Sequence, residues 1–487
     1  MEESKHKGLS AWQLTMMALG TVIGGSFFLG SSVAIHAAGP AIIISYILGG
    51  ILIYFILYAL SEMTVADAAP GSFRTFAAKM FGPGTGFVVG WVYWTGMILA
   101  MSSEATAVSI LVRNWYPGVS ISLLGSLIII GVTLLNLLGT DKLSKLESGL
   151  AAVKVFAIIS FIIIGVLLIT GLIRGGSGLG AGELTGEAFM PGGIGSIAGS
   201  MLIVIFAYAG FEIIGLAASE TANPQKTVPK AITYTVLSLV GLYIISAAVL
   251  LPLIPTAVLN ERVSPLVAAL DRWGITWAGG ALNFVLITAI LSTMLAAMFG
   301  LGRMIRSLAE ERHAPRWLKD SRDVPYRGII FSGLAMLAGL GFGLLFPRVY
   351  LFLISSGGFA LLFTYGVILA THLRFRKKYG CPPEGKCQMP GYPYTSWIAL
   401  ISIVVVIISM PLVPGQGSGL IAGMVFIGFY SLVYWAMKAY GRVPKPNTVY
   451  DLLKTKRVKM RMATEMSEEL GPHGKKNSHK KKAKRRK

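Results

Sequence analysis

Long apolar runs separated by short polar segments are the feature that most constrains this chain. A run of about 20 mainly apolar residues can cross the hydrocarbon core of a bilayer as a helix. Only 13% of the 487 residues are charged, against about 25% in soluble domains. The sequence therefore predicts an all-α polytopic membrane protein with about twelve transmembrane helices. The predicted spans cover residues 11–35, 39–66, 85–112, 120–139, 147–173, 194–219, 230–252, 275–302, 328–346, 349–371, 395–412 and 417–440.

The distribution of basic residues predicts which side each loop faces. An even number of spans puts both termini on one side, and cytoplasmic loops carry the excess of Lys and Arg. Five of the 43 basic residues lie in loops assigned to the opposite side, namely Arg113, Arg174, Arg262, Arg272 and Arg348. We therefore expect a multi-pass protein of the cell membrane with both termini in the cytoplasm.

The order of the spans predicts five parts of the chain. These are an N-terminus at 1–10, spans one to five at 11–173, spans six to ten at 174–371, spans eleven and twelve with a cytoplasmic loop at 372–440, and a tail at 441–487. The tail holds 16 basic and four acidic residues, which is typical of disordered segments, and we expect it to touch anionic lipid headgroups. Because its basic end, Lys475–Lys487, has no interleaved aromatic residues, we expect no nucleic-acid partner.

Glycines interrupt two of the predicted spans. Span one has Gly24 and Gly25 beside Ser26, and span six has Gly210 close to Glu212. Such residues permit either close helix packing or a broken helix, whose irregular backbone must be buried in protein or line a cavity. Interruptions in corresponding spans of two halves are typical of inverted-repeat transporters with a midplane site. We therefore expect a core of two inverted repeats of five helices, plus two added helices.

Four ionisable residues are predicted to lie within spans, namely Glu62, Glu104, Lys154 and Glu212. Such residues are costly in a bilayer, so they either pair with one another to hold helices together or take part in transport. Lys154 has apolar neighbours on all faces of its helix. Because burial disfavours the charged form of an amine, we expect Lys154 to exchange a proton near neutral pH, as a proton-coupled carrier requires.

Motifs of other site classes are missing from the sequence. No G-x-x-x-x-G-K-[ST] stretch occurs, which argues against a nucleotide site, and we expect no cofactor and no enzymatic activity. Cys381 and Cys387 are six residues apart without a histidine cluster. Since this spacing fits no metal site, both cysteines are predicted to be free thiols.

Several motifs resemble those of a known transporter superfamily. They are Gly20–Phe28, Ser61–Met63, Gly90–Trp94, Phe206–Glu212 and Arg303–Met304, in that order. From about residue 11 to 440 the chain resembles the amino acid–polyamine–organocation superfamily, and more closely its bacterial amino acid permease branch. The resemblance implies the leucine-transporter-type inverted-repeat fold and uptake of an α-amino acid.

The resemblance also implies a site for the substrate carboxylate. Backbone N–H groups would come from Ile23, Gly24, Gly25 and Ser26, which agrees with the affinity of helix N-termini for anions. Ser26 stands where the family usually has glycine, and its hydroxyl could itself reach a carboxylate. Glu104 is assigned to the same binding region.

Span six would bind the rest of the substrate. By the same resemblance, carbonyl groups for the substrate ammonium and an aromatic lid at Phe206 would come from Phe206, Ala207, Tyr208 and Gly210. Lys154 and Glu212 would couple transport to a proton. Span eight, at Leu291–Phe299, is more apolar than is usual in this branch, which favours an apolar substrate side chain.

Taken together, these features predict a secondary active transporter, in first place a proton–amino acid symporter that works by alternating access. Three alternatives stay open. An exchanger would need no proton, a membrane sensor would bind an amino acid without carrying it and would signal through the tail, and a channel would not accumulate substrate.

Overall fold

The fold was obtained as a computed structural model of the chain. It describes residues 10–66, 72–138, 140–173, 178–212, 214, 221, 223–320, 324–381 and 388–441. In residues 140–149, 151 and 224 only the backbone is described. The predicted tail at 441–487 lies outside the described residues except for its first residue.

Fifteen α-helices are found in the described residues, which contain no strand. In chain order they are α1 (Ala11–Val22), α2 (Ser31–Ala38), α3 (Ile42–Ala66), α4 (Ser72–Phe81), α5 (Pro83–Arg113), α6 (Ile121–Asn136), α7 (Thr140–Ile169), α8 (Gly193–Ala207), α9 (Pro224–Leu250), α10 (Pro265–Arg272), α11 (Thr276–Glu310), α12 (Tyr326–Gly343), α13 (Val349–Tyr379), α14 (Tyr394–Ser409) and α15 (Gly417–Ala439). The predicted all-α class is therefore confirmed.

The helices account for the predicted spans. Across the described ranges, nine helical segments are long and apolar enough to cross a membrane, and two shorter apolar helices are Ile121–Asn136 and Gly193–Ala207. One of the nine, Ser26–Ala66, contains the second half of span one together with span two. The chain is thus a polytopic membrane protein, and apolar side chains exposed on its outer helices, such as Val404, Ile408 and Ile421, suit a lipid environment.

Span one is broken at its glycines. A capping box between Ser10 and Gln13 starts α1, which ends at Val22 because Ile23 adopts an extended conformation, with ψ 101°. The chain resumes as a π-helical turn at Ser26–Gly30 that leads into α2. The break, rather than uninterrupted close packing, is therefore what the glycines of this span permit.

Span six is broken at the corresponding place. Helix α8 ends at Ala207, and residues 208–212 form turns. Gly210 has φ +107°, and a Cβ there would lie 3.0 Å from the carbonyl oxygen of Thr21. The Thr21 hydroxyl donates a hydrogen bond to the Gly210 carbonyl at 3.1 Å. The two breaks therefore contact each other through backbone, and a side chain at position 210 would separate them.

Helices α5 and α13 pack closely where small residues face each other. A Cβ at Gly96 would lie 2.4 Å from the Cβ of Ala360, and a Cβ at Gly357 would lie 2.9 Å from the Gly96 carbonyl oxygen. Small residues of this kind let membrane helices approach through their backbones. The contact fixes α5, which carries Glu104, against α13.

Two details differ from the sequence-based expectations or extend them. The short helices α4 and α10 lie between spans and were not predicted. Cys381 is disulfide-bonded, so the prediction of a free thiol is wrong for this residue, while Cys387 lies outside the described residues. The prediction rested on a spacing that excludes a metal site, and spacing carries no information about oxidation.

Candidate functional site

The first half of broken span one ends at a buried ammonium group. Lys154 of α7 is fully buried, and its Nζ donates to the Gly20 carbonyl at 2.6 Å and to the Thr293 hydroxyl at 2.8 Å. The Thr293 hydroxyl in turn donates a hydrogen bond to the Ile23 carbonyl oxygen at 3.1 Å. The carbonyl end of a helix carries the negative end of its dipole, so the lysine charge complements the end of α1.

The second half of span one begins at a buried carboxylate. The Gly25 N–H donates to Oε2 of Glu104 at 2.7 Å. The Glu104 side chain is 3% exposed. Since the amide end of a helix attracts anions, Glu104 complements the start of the second half.

An acid and a base therefore flank the same break. The Lys154 ammonium acts electrostatically on the Glu104 carboxylate. Gly24 lies between Glu104 and Thr293, the hydroxyl partner of Lys154, because a Cβ there would be 3.2 Å from Thr293 Oγ1 and 3.4 Å from Glu104 Oε1. The structure thus brings together the predicted site residues of span one, Glu104 and Lys154.

Aromatic rings form a wall beside the break. Phe27 stacks on Tyr243 with ring centroids 4.0 Å apart, and Tyr208 lies against Tyr243 at 5.1 Å. The Tyr243 hydroxyl donates to the Ala207 carbonyl at 3.0 Å, and the Tyr208 hydroxyl donates to the Tyr46 carbonyl at 3.1 Å. A cavity of about 10 Å³ beside this wall has room for about one water, so it is too small for an amino acid.

The predicted residues of span six are buried next to the second break. Phe206 is 5% exposed, and Ala207 and Tyr208 are 1% exposed. Glu212 accepts from the Gly210 N–H at 2.9 Å and from the hydroxyl of Tyr365. Glu212 therefore stabilises the turn of its own break, with Tyr365 of α13 as a further donor.

Sequence reasoning missed several polar groups of the site. Thr293 lies within the stretch of span eight that was interpreted as apolar. The hydroxyl of Tyr350 in α13 donates a hydrogen bond to the Gly25 carbonyl at 3.4 Å. Tyr243 and Tyr365 were also not predicted. A signal was present, because each is a hydroxyl-bearing residue within an apolar run, where a polar group needs a partner.

Glu62 belongs to a different cluster at the end of α3. It is fully buried and bonds His372 at 2.7 Å, Arg376 at 3.2 Å and the N–H groups of Gln388 and Met389 at 2.6 Å each. These contacts tie the loop before α14 to α3 and α13. Glu62 therefore holds helices together, as one of the two interpretations of the buried charges expects. Its partners are not the other three predicted charges, Glu104, Lys154 and Glu212.

A second cluster links α4 to the end of α11. The two terminal nitrogens of the buried Arg74 guanidinium, Nη1 and Nη2, donate to the two Glu311 oxygens at 2.7 Å each, and Nη2 also donates to the Ser307 hydroxyl at 2.8 Å. His313 lies beside this pair, and its carbonyl accepts from the indole N–H of Trp91 at 3.0 Å. Burial, aided by the nearby Arg74 charge, lowers the pKa of His313 to about 4.

The fold and the site define a membrane transport protein, because two touching broken helices present backbone polar groups and opposite charges deep inside an apolar bundle. In the part of the chain that the structure describes, no group of three or more His, Cys, Asp or Glu residues could hold a metal ion. The candidate binding site is the break of span one, where Lys154 and the Gly25 N–H lie close to Glu104.

Comparison with known proteins gives the family. A sequence profile described as amino acid permease matches residues 13–443. The gamma-aminobutyric acid permease of Bacillus subtilis (strain 168) is 33% identical over 434 residues, which make up 87% of this chain and 92% of that protein. The L-asparagine permease of Escherichia coli (strain K12) is 32% identical over 448 residues, or 89% of each chain. The chain belongs to the amino acid permease family, so it is an amino acid transporter and not an enzyme, and the predicted resemblance is confirmed.

Proposed function

We propose that the protein takes up an amino acid together with a proton by alternating access across the plasma membrane, with both termini in the cytoplasm. The observation that supports this most directly is the charge arrangement at the break of span one. The N–H group of Gly25 binds a carboxylate in the structure, and an amino acid brings a carboxylate of its own. The substrate is a small molecule, and no cofactor or nucleotide takes part in the proposed cycle.

The substrate would lie between the two breaks. Its carboxylate would bind at residues 23–26, and its ammonium would face the carbonyl groups at the end of α8. In the structure the Ala207 carbonyl accepts from Tyr243, so binding would exchange this internal bond for one to the ammonium. Phe206, buried beside the same end, would cover the substrate.

Lys154 is the proposed proton carrier at the carbonyl end of the break. Its ammonium neutralises the end of α1 through Gly20 and Thr293, so loss of its proton would weaken the contact between α1, α7 and α11. Movement of these helices would thereby depend on the protonation of Lys154. Glu212, which stabilises the second break, is the proposed second group in this coupling.

Uptake into liposomes by the purified protein tests the proposal. A panel of labelled amino acids, including γ-aminobutyrate and asparagine, is offered in sodium-free buffer with and without an inward proton gradient. Accumulation that collapses with the gradient supports symport. Transport only against preloaded amino acid would mean exchange, and binding without either kind of transport would favour a sensor.

Lys154→Ala adds a direct test of coupling. We expect this variant to lose gradient-driven accumulation while exchange of substrate persists. Lys230→Ala is the matched control, because Lys230 is an exposed residue of α9. Full accumulation by Lys154→Ala would remove the coupling role from this residue.

A further inference from the structure

The backbone amides proposed for the substrate carboxylate already have a carboxylate bound to them. Glu104 Oε2 accepts from the Gly25 N–H at 2.7 Å. A Cβ at Gly25 would lie 2.5 Å from that same oxygen, and a Cβ at Gly24 would lie 3.4 Å from Oε1. Both carboxylate oxygens therefore lie against the two glycines of the break, where an incoming carboxylate would have to bind.

Two carboxylates cannot bind this place together. One N–H donates its hydrogen to one strong acceptor at a time, and two negative charges that share a buried site repel each other. Glu104 is 3% exposed, so solvent does not screen the repulsion. Entry of a substrate carboxylate therefore requires Glu104 to leave the Gly25 amide and to lose its charge.

We propose that Glu104 is a built-in occupant of the substrate-carboxylate site, which the substrate displaces and which takes up a proton when it is displaced. The proposal rests on the proposed function, because it assumes that the substrate carboxylate binds at Gly25. One proton from the outer solution forms an O–H bond on Glu104 as the substrate enters. After the substrate leaves on the inner side, Glu104 releases that proton there and binds the Gly25 amide again.

The titration of Glu104 must be distinguished from that of the ionisable groups around it. The titratable groups that act on it electrostatically are Lys154 of α7, Tyr243 of α9 and Tyr350 of α13. Helix α11 presents Ile290 and Thr293 to the same break, and neither ionises. Lys154 donates to Gly20 and Thr293 in the structure.

The packing of the helix that carries Glu104 favours displacement of Glu104 from Gly25 without a rearrangement of that helix. Glu104 is carried by α5, which packs closely on α13 through Gly96, Gly357 and Ala360. The amides belong to the broken helix, so the bond between Gly25 and Glu104 joins the broken helix to the packed pair. Release of this bond by the substrate would free the second half of span one from α5 and would link binding to movement.

Binding of a labelled substrate by wild type and Glu104→Gln, measured in detergent from about pH 5 to about pH 9, tests the proposal. In wild type the apparent Kd should rise by about tenfold per pH unit on the alkaline side, because one proton binds with each substrate. In Glu104→Gln the apparent Kd should change by less than about twofold over the range, since glutamine does not titrate. Lys230→Met, a change at an exposed residue of α9, should keep the wild-type slope.

A measurement on the unmodified protein guards against misfolding of the variant. Addition of substrate to wild type in weakly buffered solution at alkaline pH should take up about one proton per bound substrate. A pH slope that survives in Glu104→Gln, or substrate binding without proton uptake in wild type, would overturn this proposal and leave amino acid transport intact. Absence of both binding and uptake of every amino acid in wild type would instead overturn the proposed function and this proposal together.

Discussion

Gly210→Ala tests whether the contact between the two broken helices depends on a missing side chain. At φ +107° a residue other than glycine is strained by about 1–3 kcal/mol. The added Cβ would also lie 3.0 Å from the carbonyl oxygen and 3.2 Å from the carbonyl carbon of Thr21. These are backbone atoms, so relief requires the two breaks to move apart, at about 1–3 kcal/mol for overpacking. We therefore expect a loss of about 2–6 kcal/mol in the free energy of unfolding.

The measurement is a denaturant titration of the purified protein in micelles, followed by substrate uptake for the folded fraction. Gly241→Ala is the matched control, because Gly241 lies within helix α9 and a Cβ there would meet no atom within 4 Å. Alanine in a helix interior is favoured over glycine by up to about 1 kcal/mol, so this variant should be as stable as wild type or more so. Equal stability of the two variants would refute the reasoning, because the backbone contact between residues 210 and 21 would then impose no constraint.

Three further predictions concern the polar clusters away from the breaks. Arg74→Lys should lower the free energy of unfolding by about 1–3 kcal/mol, because lysine cannot replace the bidentate hydrogen bonds to Glu311. An unfolding midpoint equal to that of wild type in the denaturant titration would contradict this. Glu62→Gln should cost about 3–5 kcal/mol, since it leaves buried Arg376 without its charged partner; stability near that of wild type would show that the cluster is dispensable. Because the pKa of His313 is lowered to about 4, while it is about 6.5 in the unfolded chain, the unfolded state binds more protons between these values. The His313 contribution to stability, at most about 3 kcal/mol, is therefore fully present above about pH 6.5 and is lost as the pH falls towards 4; stability measured across this range should depend less on pH in His313→Asn, and equal slopes would contradict the assignment.

The breaks could be predicted from the sequence because their cause is local. Gly24 and Gly25 interrupt one apolar run and Gly210 interrupts another, and glycine permits backbone conformations that other residues avoid. The contact between Gly210 and Thr21 could not be predicted, because it joins residues that are far apart in the chain. No periodicity of either span carries information about that pairing.

The positions of the buried charges were predicted, but their partners were not. Lys154 binds a carbonyl oxygen and a hydroxyl, and Glu104 binds a backbone amide, so both use the ends of a broken helix. A partner of this kind has no signature in the sequence, since every residue carries both an N–H and a C=O group, apart from proline, which has only the C=O. Thr293 was overlooked for a related reason, because one hydroxyl barely changes the hydropathy of a span.

The substrate-binding roles of residues 23–26 and 206–210 and the coupling roles of Lys154 and Glu212 stay predictions. The structure buries residues 23–26, residues 206–208, Lys154 and Glu212 and leaves Gly210 partly exposed, and the family gives the class of substrate. The measurements proposed above decide which of these groups touches the amino acid.

The close packing of α5 on α13 has a mechanical consequence. Sliding or rotation of one helix against the other is hindered, because the two helices have no free space between them and either motion would press Ala360 into the backbone at Gly96. In the proposed transport cycle α5 and α13 would therefore stay fixed relative to each other, and the movement would come from the helices packed around them. In the proposed cycle Glu104, which α5 carries, would be a fixed point that binds the second half of span one again through the Gly25 N–H at the start of each turnover.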